Sequence, residues 1–150
     1  QYNTIRVTKY EAHMQIKKVG VIGAGQMGNG IAHVLSLGGY DVILNDIDKN
    51  TLEKASHNIK NNLDRQVNSK KISTAESSAA LKLINYTVSL EEFNEVDLVI
   101  EAATENETIK QKILNSLLPH IQPHTILTSN TSSISITRLE FIHLITKILQ

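Results

Sequence analysis

Val19-Gly20-Val21-Ile22-Gly23-Ala24-Gly25-Gln26-Met27-Gly28 is the stretch on which the fold turns. Val19–Ile22 is a short, continuously apolar run that stops at a glycine, the pattern of a strand buried on both faces. From Gln26 to Leu37 the apolar residues Met27, Ile31, Val34 and Leu35 recur at helical spacing, and Gly38-Gly39 ends the run. Between strand and helix lies G-x-G-x-x-G, in the context that gives such a motif its meaning. Gly23 permits the tight turn, Gly25 lets the backbone approach a pyrophosphate, and Gly28 lets the helix pack closely on the strand. Ala24, Gln26 and Met27 complete the candidate cradle. The first N–H groups and positive dipole end of the helix would meet the phosphate charge.

Outward from this unit the chain alternates. Asp41–Asn45 reads as a second strand ending at Asp46. An acid about 20 residues beyond the glycines can accept hydrogen bonds from the adenosine ribose hydroxyls. It would also repel a 2′-phosphate, which favours NAD over NADP. Asp48 can cap a long helix carrying Leu52, Ala55, Ile59 and Leu63, which fades near Asn68–Lys71. Ser73 and Glu76 have capping-box spacing and open a short helix through Leu81. Asn85–Val88 reads as a third strand and Val96–Ile100 as a fourth, ending at Glu101. Glu107–Leu118 reads as a helix with Ile109, Ile113, Leu114 and Leu117 on one face. Thr125–Thr128 is a fifth strand, opening into Ser129-Asn130-Thr131-Ser132-Ser133. Strands alternating with helices at this pace define an α/β protein: a Rossmann-type, doubly wound, mainly parallel sheet with helices on both faces.

Composition narrows the function. The 150 residues hold 15 Lys+Arg against 15 Asp+Glu, so a basic nucleic-acid-binding surface is not the main business. No run of apolar residues is long enough for a membrane helix. With no Cys there is no thiolate metal site or Cys nucleophile, and no His pair has metal-ligand spacing with a third ligand, so no metal is expected. Gln1–His13 carries charges without an export core and reads as a leader or extension without order of its own; Met14 fits a natural start. Residues 14–139 read as the dinucleotide-binding domain and 140–150 as a divergent tail. The expected compartment is cytoplasmic.

From Lys17 to about Leu139 the chain resembles the N-terminal half of the 3-hydroxyacyl-CoA dehydrogenases, including the 3-hydroxybutyryl-CoA dehydrogenases. Three blocks carry the resemblance: Lys18–Ala32, then Asp97–Ala102 with Glu105, Asn106 and Lys110, and Ser129–Thr137. The last block is far more specific than the glycine motif. The resemblance implies NAD as cofactor, an acyl-CoA substrate, and oxidation of a 3-hydroxyl to a 3-keto group. It implies that Gly23 to Gly28 hold the pyrophosphate and Asp46 the ribose, while Glu105 and Lys110 lie along the nicotinamide side. Asn130 and Ser132 would stand at the mouth of the site, Ser132 touching both the substrate's 3-oxygen and the cofactor. Lys110 also fits a charge partner for a diphosphate or CoA phosphate. The long second helix would contribute acyl-CoA contacts through Asn62, Ser69 and Lys70, although Asn62 stands where the family often has a small hydroxyl residue.

The family's catalytic His and its orienting Glu lie beyond the Ser-Asn-Thr-Ser-Ser block, and a helical domain for substrate and dimerisation follows. Neither is found in these 150 residues. From Glu140 the pattern departs from the family, and His143 is a poor candidate for the base. The tail reads as the product of a truncation, or as a helix with Leu139, Ile142, Ile145 and Leu149 on one side. Three readings follow: a half-dehydrogenase completed by a helical domain on another chain and weak or inactive alone, a non-catalytic NAD-binding module, and a degenerate gene fragment.

Overall fold

The computed structural model describes residues 16–129. Five strands, β1 (Lys18–Ile22), β2 (Asp41–Asn45), β3 (Ile84–Thr87), β4 (Leu98–Glu101) and β5 (Ile126–Ser129), form one sheet. Four helices, α1 (Gln26–Leu37), α2 (Lys49–Asn68), α3 (Thr74–Leu83) and α4 (Glu107–Leu117), connect them. The order is β3-β2-β1-β4-β5, and every pairing is parallel. The chain winds outward from β1 through β2 to β3, then returns across to β4 and β5. Its connections reverse direction between β1 and β4, where open α/β sheets bind ligands beyond the carboxyl ends of their strands.

Alternate strand residues serve two cores. Val19, Val21, Val42, Leu44, Leu98 and Ile100 face α1, α2 and α3, against Ile31, Leu35, Leu52, Ala55, Ile59 and Leu63. On the other face Ile22, Ile43 and Val99 meet Phe93, Val96 and Leu117. Burial on both faces is why the strands read as unbroken apolar runs. Phe93 is fully buried and comes from a 3-10 segment, Leu90–Glu95, for which the sequence pattern offers no periodic signal. Its ring lies over β1 where Gly20 has no side chain: a Cβ there would stand 2.6 Å from the ring.

Local signals set the element ends. Asp48 caps α2 by accepting the Asn50 N–H at 2.9 Å. Ser73 and Glu76 form the capping box that opens α3, and Gly39 takes the left-handed conformation just after α1. α3 runs to Leu83 rather than Leu81, and β3 begins at Ile84, a residue earlier than the sequence suggests. In α4 the inward stripe is Lys110 and Leu117, both buried, with Ile113 partly buried between them, whereas Ile109 is exposed. The leader, Met14, the block from Asn130 through Ser132 and the tail with His143 lie outside the described residues.

Candidate functional site

The carboxyl edge of the sheet carries the glycine turn. Gly23 has φ of 100°, a backbone region that favours glycine, and its N–H donates to the Asn45 carbonyl at 2.7 Å. A Cβ on Gly23 would fall 2.6 Å from Ala103 Cα, so the β1 and β4 loops touch at this residue. On Gly28 a Cβ would fall 1.6 Å from the Gly23 carbonyl oxygen, which seats α1 directly against the turn. Gly25 differs: nothing lies within 4 Å of its would-be Cβ. It is exposed, stands at the N-cap of α1, and supplies no side chain to cap the helix. Helix N–H groups and open space thus coincide at the one glycine where a pyrophosphate would approach.

Asp46 closes the cradle on the β2 side. One carboxylate oxygen accepts the Ala24 N–H at 3.0 Å and the other accepts the Asp48 N–H at 2.9 Å. A carboxylate has about four lone-pair positions, so both oxygens keep capacity for ribose hydroxyls. The group is half-exposed at the rim of a groove of about 660 Å3 that runs past Gly23, Ile47, Val88, Thr104 and Ile109. Ile47 is 94% exposed, an apolar side chain held at the groove mouth.

A second groove, of about 490 Å3, lies across the start of α1, between Gly25, Asn29 and the face of α2 that carries Lys54, Asn62 and Arg65. Of the expected acyl-CoA contacts on α2, Asn62 lines this groove. Ser69 and Lys70 are exposed at the end of α2 and form no part of its lining. Lys54 and Arg65 are groove residues that the sequence did not single out. The signal was available: both lie near one helix face with Asn58 and Asn62, beside the buried Leu52-Ala55-Ile59-Leu63 stripe, whose Ala55 also lines the groove.

The β4–β5 side is organised by buried charge. Glu101, 1% exposed, ends β4. Its Oε1 accepts the N–H groups of Ala103 at 3.0 Å and Thr104 at 3.2 Å. Its Oε2 pairs with Lys110 Nζ at 3.0 Å and accepts the Ser129 hydroxyl at 2.9 Å. Lys110, 5% exposed, also donates to Ser129 Oγ at 2.8 Å. The ammonium expected to face a ligand phosphate is therefore directed to a carboxylate of its own chain. Glu105 is exposed in the same β4–α4 loop, which continues through Asn106, the cap of α4. The sequence left Glu101 as a strand end. A lysine in register with Ile113 and Leu117 was the available sign that α4 buries a charge needing a partner.

Of the four histidines among the described residues, three stand apart from both grooves. His33 bridges to Gln66 at 2.8 Å across α1 and α2, and His57 is exposed. His124 pairs with Asp97 at 3.7 Å at the start of β4. His120 lines the far end of the larger groove along α4. Among the described residues no group of three His, Asp or Glu is placed to hold a metal ion. No helix among them is long and apolar enough to cross a membrane.

A parallel sheet in this order, a glycine turn with open space at Gly25, and an acid at the end of β2 define an NAD-binding Rossmann domain. Residues 18–142 match the model of the 3-hydroxyacyl-CoA dehydrogenase NAD-binding domain, and the chain belongs to that family. It is 50% identical over 124 residues to a 3-hydroxybutyryl-CoA dehydrogenase of Bradyrhizobium diazoefficiens, a match covering 83% of this chain and 42% of that protein. It is 42% identical, again over 83% of its length, to the fatty acid oxidation complex subunit alpha of Acinetobacter baumannii, of which 17% is covered. Among solved structures, the (S)-3-hydroxybutyryl-CoA dehydrogenase of Ralstonia eutropha superposes with a TM-score of 0.76 at 39% identity, over 85% of this chain and 45% of that one. The 3-hydroxybutyryl-CoA dehydrogenase of Escherichia coli gives 0.78 at 36% identity, over 84% and 27%. The chain thus spans less than half the length of these relatives.

Proposed function

We propose that these residues are the cofactor half of an enzyme that oxidises 3-hydroxyacyl-CoA to 3-ketoacyl-CoA in fatty-acid or butanoate metabolism. The observation that carries this reading is the pair of grooves at the glycine turn, one lined by Gly23 and Asp46 and the other by Ala24, Gly25 and the start of α1. One is rimmed by Asp46, an acid suited to ribose hydroxyls. The other carries Lys54 and Arg65 beside Asn62, cations suited to the phosphates of an acyl-CoA thioester. NAD, when bound, supplies the hydride acceptor. The chain's own part is to hold it: Ala24 to Gly28 by backbone, Asp46 by its carboxylate, and Glu105 and Lys110 from the β4 side. Ser132 is proposed to hydrogen-bond the substrate's 3-oxygen and Asn130 to stand beside it; β5 delivers the chain to that block at Ser129, on the ligand edge. Ser69 and Lys70 are proposed as outer contacts for the CoA moiety.

Removing the hydroxyl proton calls for a base, for which His is the usual choice. By resemblance that base belongs to a segment that follows the Ser-Asn-Thr-Ser-Ser block and precedes the helical domain, both proposed to be carried elsewhere in the protein or on a separate chain. Alone, the 150 residues are proposed to bind NADH and to turn over weakly or not at all. The compartment proposed is the cytoplasm. The test mixes the chain with NADH and acetoacetyl-CoA. Saturable NADH binding with little or no oxidation, raised by adding in trans a family segment that carries the catalytic His, its Glu and the helical domain, supports the reading. NADH binding that acetoacetyl-CoA leaves unchanged, with no turnover even after that addition, would leave the non-catalytic module as the better account.

A further inference from the structure

We propose that Glu101 is a positioning residue for the nicotinamide half of the cofactor site. The inference rests on the NAD-binding reading above and goes beyond it. A dinucleotide in this fold crosses the switch point between β1 and β4. With Asp46 on the β2 side for the adenosine ribose, the other half falls over the ends of β4 and β5. Glu101 ends β4 there, in register with Ile22 on one side and Ser129 on the other.

Its carboxylate is 1% exposed and is bonded to Ala103, Thr104, Lys110 and Ser129, so burial routes any effect on a ligand through those partners. Those partners come from three elements that converge on the ligand edge. Through Oε1 it holds the Ala103 and Thr104 N–H groups, and hence the loop that stands against Gly23. Through Oε2 it holds Lys110 on α4 and Ser129 at the end of β5, the residue before Asn130. One buried group thus registers the β4 loop, the first turn of α4 and the exit of β5 against one another. Networks of this kind hold site residues in one geometry when every member is satisfied. Among the described residues no buried side-chain polar atom lacks a partner.

The test is calorimetric titration of the 150-residue chain with NADH and, separately, with AMP, which fills the adenosine half alone; thermal unfolding is followed in parallel. In Glu101→Gln the amide can keep one acceptor oxygen for Ala103 and Thr104, but it turns an NH2 toward the Lys110 ammonium. Hydrogen bonds to charged groups are strong enough that NADH affinity should fall about tenfold or more, with AMP affinity changed less than about twofold. Ser129→Ala removes one arm and leaves the ion pair; it should weaken NADH about threefold, again sparing AMP. Should Glu101→Gln fail to fold, Ser129→Ala decides. Equal losses for NADH and AMP, or a lowered unfolding temperature with NADH affinity intact, would show a purely structural role and overturn the proposal. A wild-type chain that binds neither ligand would overturn the cofactor reading itself, and this proposal with it.

Discussion

Between β1 and β2 the ligand edge is made by leaving side chains out, whereas between β4 and β5 it is made by burying charged ones. At Gly23 and Gly28 the backbone itself fills the space a Cβ would need, and at Gly25 the space stays open. A single carboxylate, Asp46, then ties the turn to β2. Across the switch point, Glu101, Lys110 and Ser129 do the same work with a buried ion pair and a shared hydroxyl. The first arrangement is steric, and it too reaches along the chain, from Gly23 to Ala103 and from Ala24 to Asp46. The second joins residues up to 28 positions apart and is electrostatic. They should therefore fail differently.

The largest effect is expected at Gly28→Ala. Its Cβ would overlap the Gly23 carbonyl, and backbone cannot yield as a flexible side chain can. A loss of more than about 4 kcal/mol, or no folded chain, is the expected outcome in denaturant unfolding. Gly25→Ala should change stability by no more than about 1 kcal/mol yet weaken NADH, because its Cβ enters empty space. Equal stability losses at the two positions would break the steric account.

Next comes the charge network. Lys110→Met leaves Glu101 buried without its cation and should cost about 3–5 kcal/mol. Converting both, Glu101→Leu with Lys110→Met, should recover most of that stability, since a buried pair and an apolar pair of similar volume are often equivalent. The recovered fold should still bind NADH poorly. If the double variant is as unstable as Lys110→Met, backbone contacts of Glu101 dominate over the ion pair.

Ser73→Ala serves as the control outside both regions. It removes the capping box of α3 and should cost about 1 kcal/mol, with NADH affinity unchanged. The smallest effect is set by Tyr86, whose partial burial raises its phenol above the ordinary value of 10.0 against a hydrogen bond to Ser56 that lowers it. The folded state thus favours the neutral phenol. Its contribution to stability is whole below the unfolded value and declines as pH rises through the folded one. Tyr86→Phe should flatten that decline in alkaline unfolding curves.

How much of this was legible follows the same division. The glycine turn, Asp46, and the α2 stripe Leu52-Ala55-Ile59-Leu63 were readable because each follows from spacing counted along the chain. The fully parallel 3-2-1-4-5 order agrees with the doubly wound expectation. Phe93 escaped because a 3-10 segment has no apolar period, and Gly20, which makes room for its ring, passed as an ordinary strand residue. The Glu101 network escaped because its members come from β4, α4 and β5, and no local pattern joins them. Ile109 was assigned to the buried face of α4, but the helix is rotated to bury Lys110. Lys110 shares the inward side of α4 with Ile113 and Leu117, where Glu101 pairs with it.

The most direct test of the account is calorimetric titration of the 150-residue chain with NADH, repeated on Gly25→Val, with thermal unfolding of both. The account predicts saturable binding by the wild-type chain, lost in Gly25→Val while cooperative unfolding is retained. No saturable binding by a wild-type chain that unfolds cooperatively would contradict it.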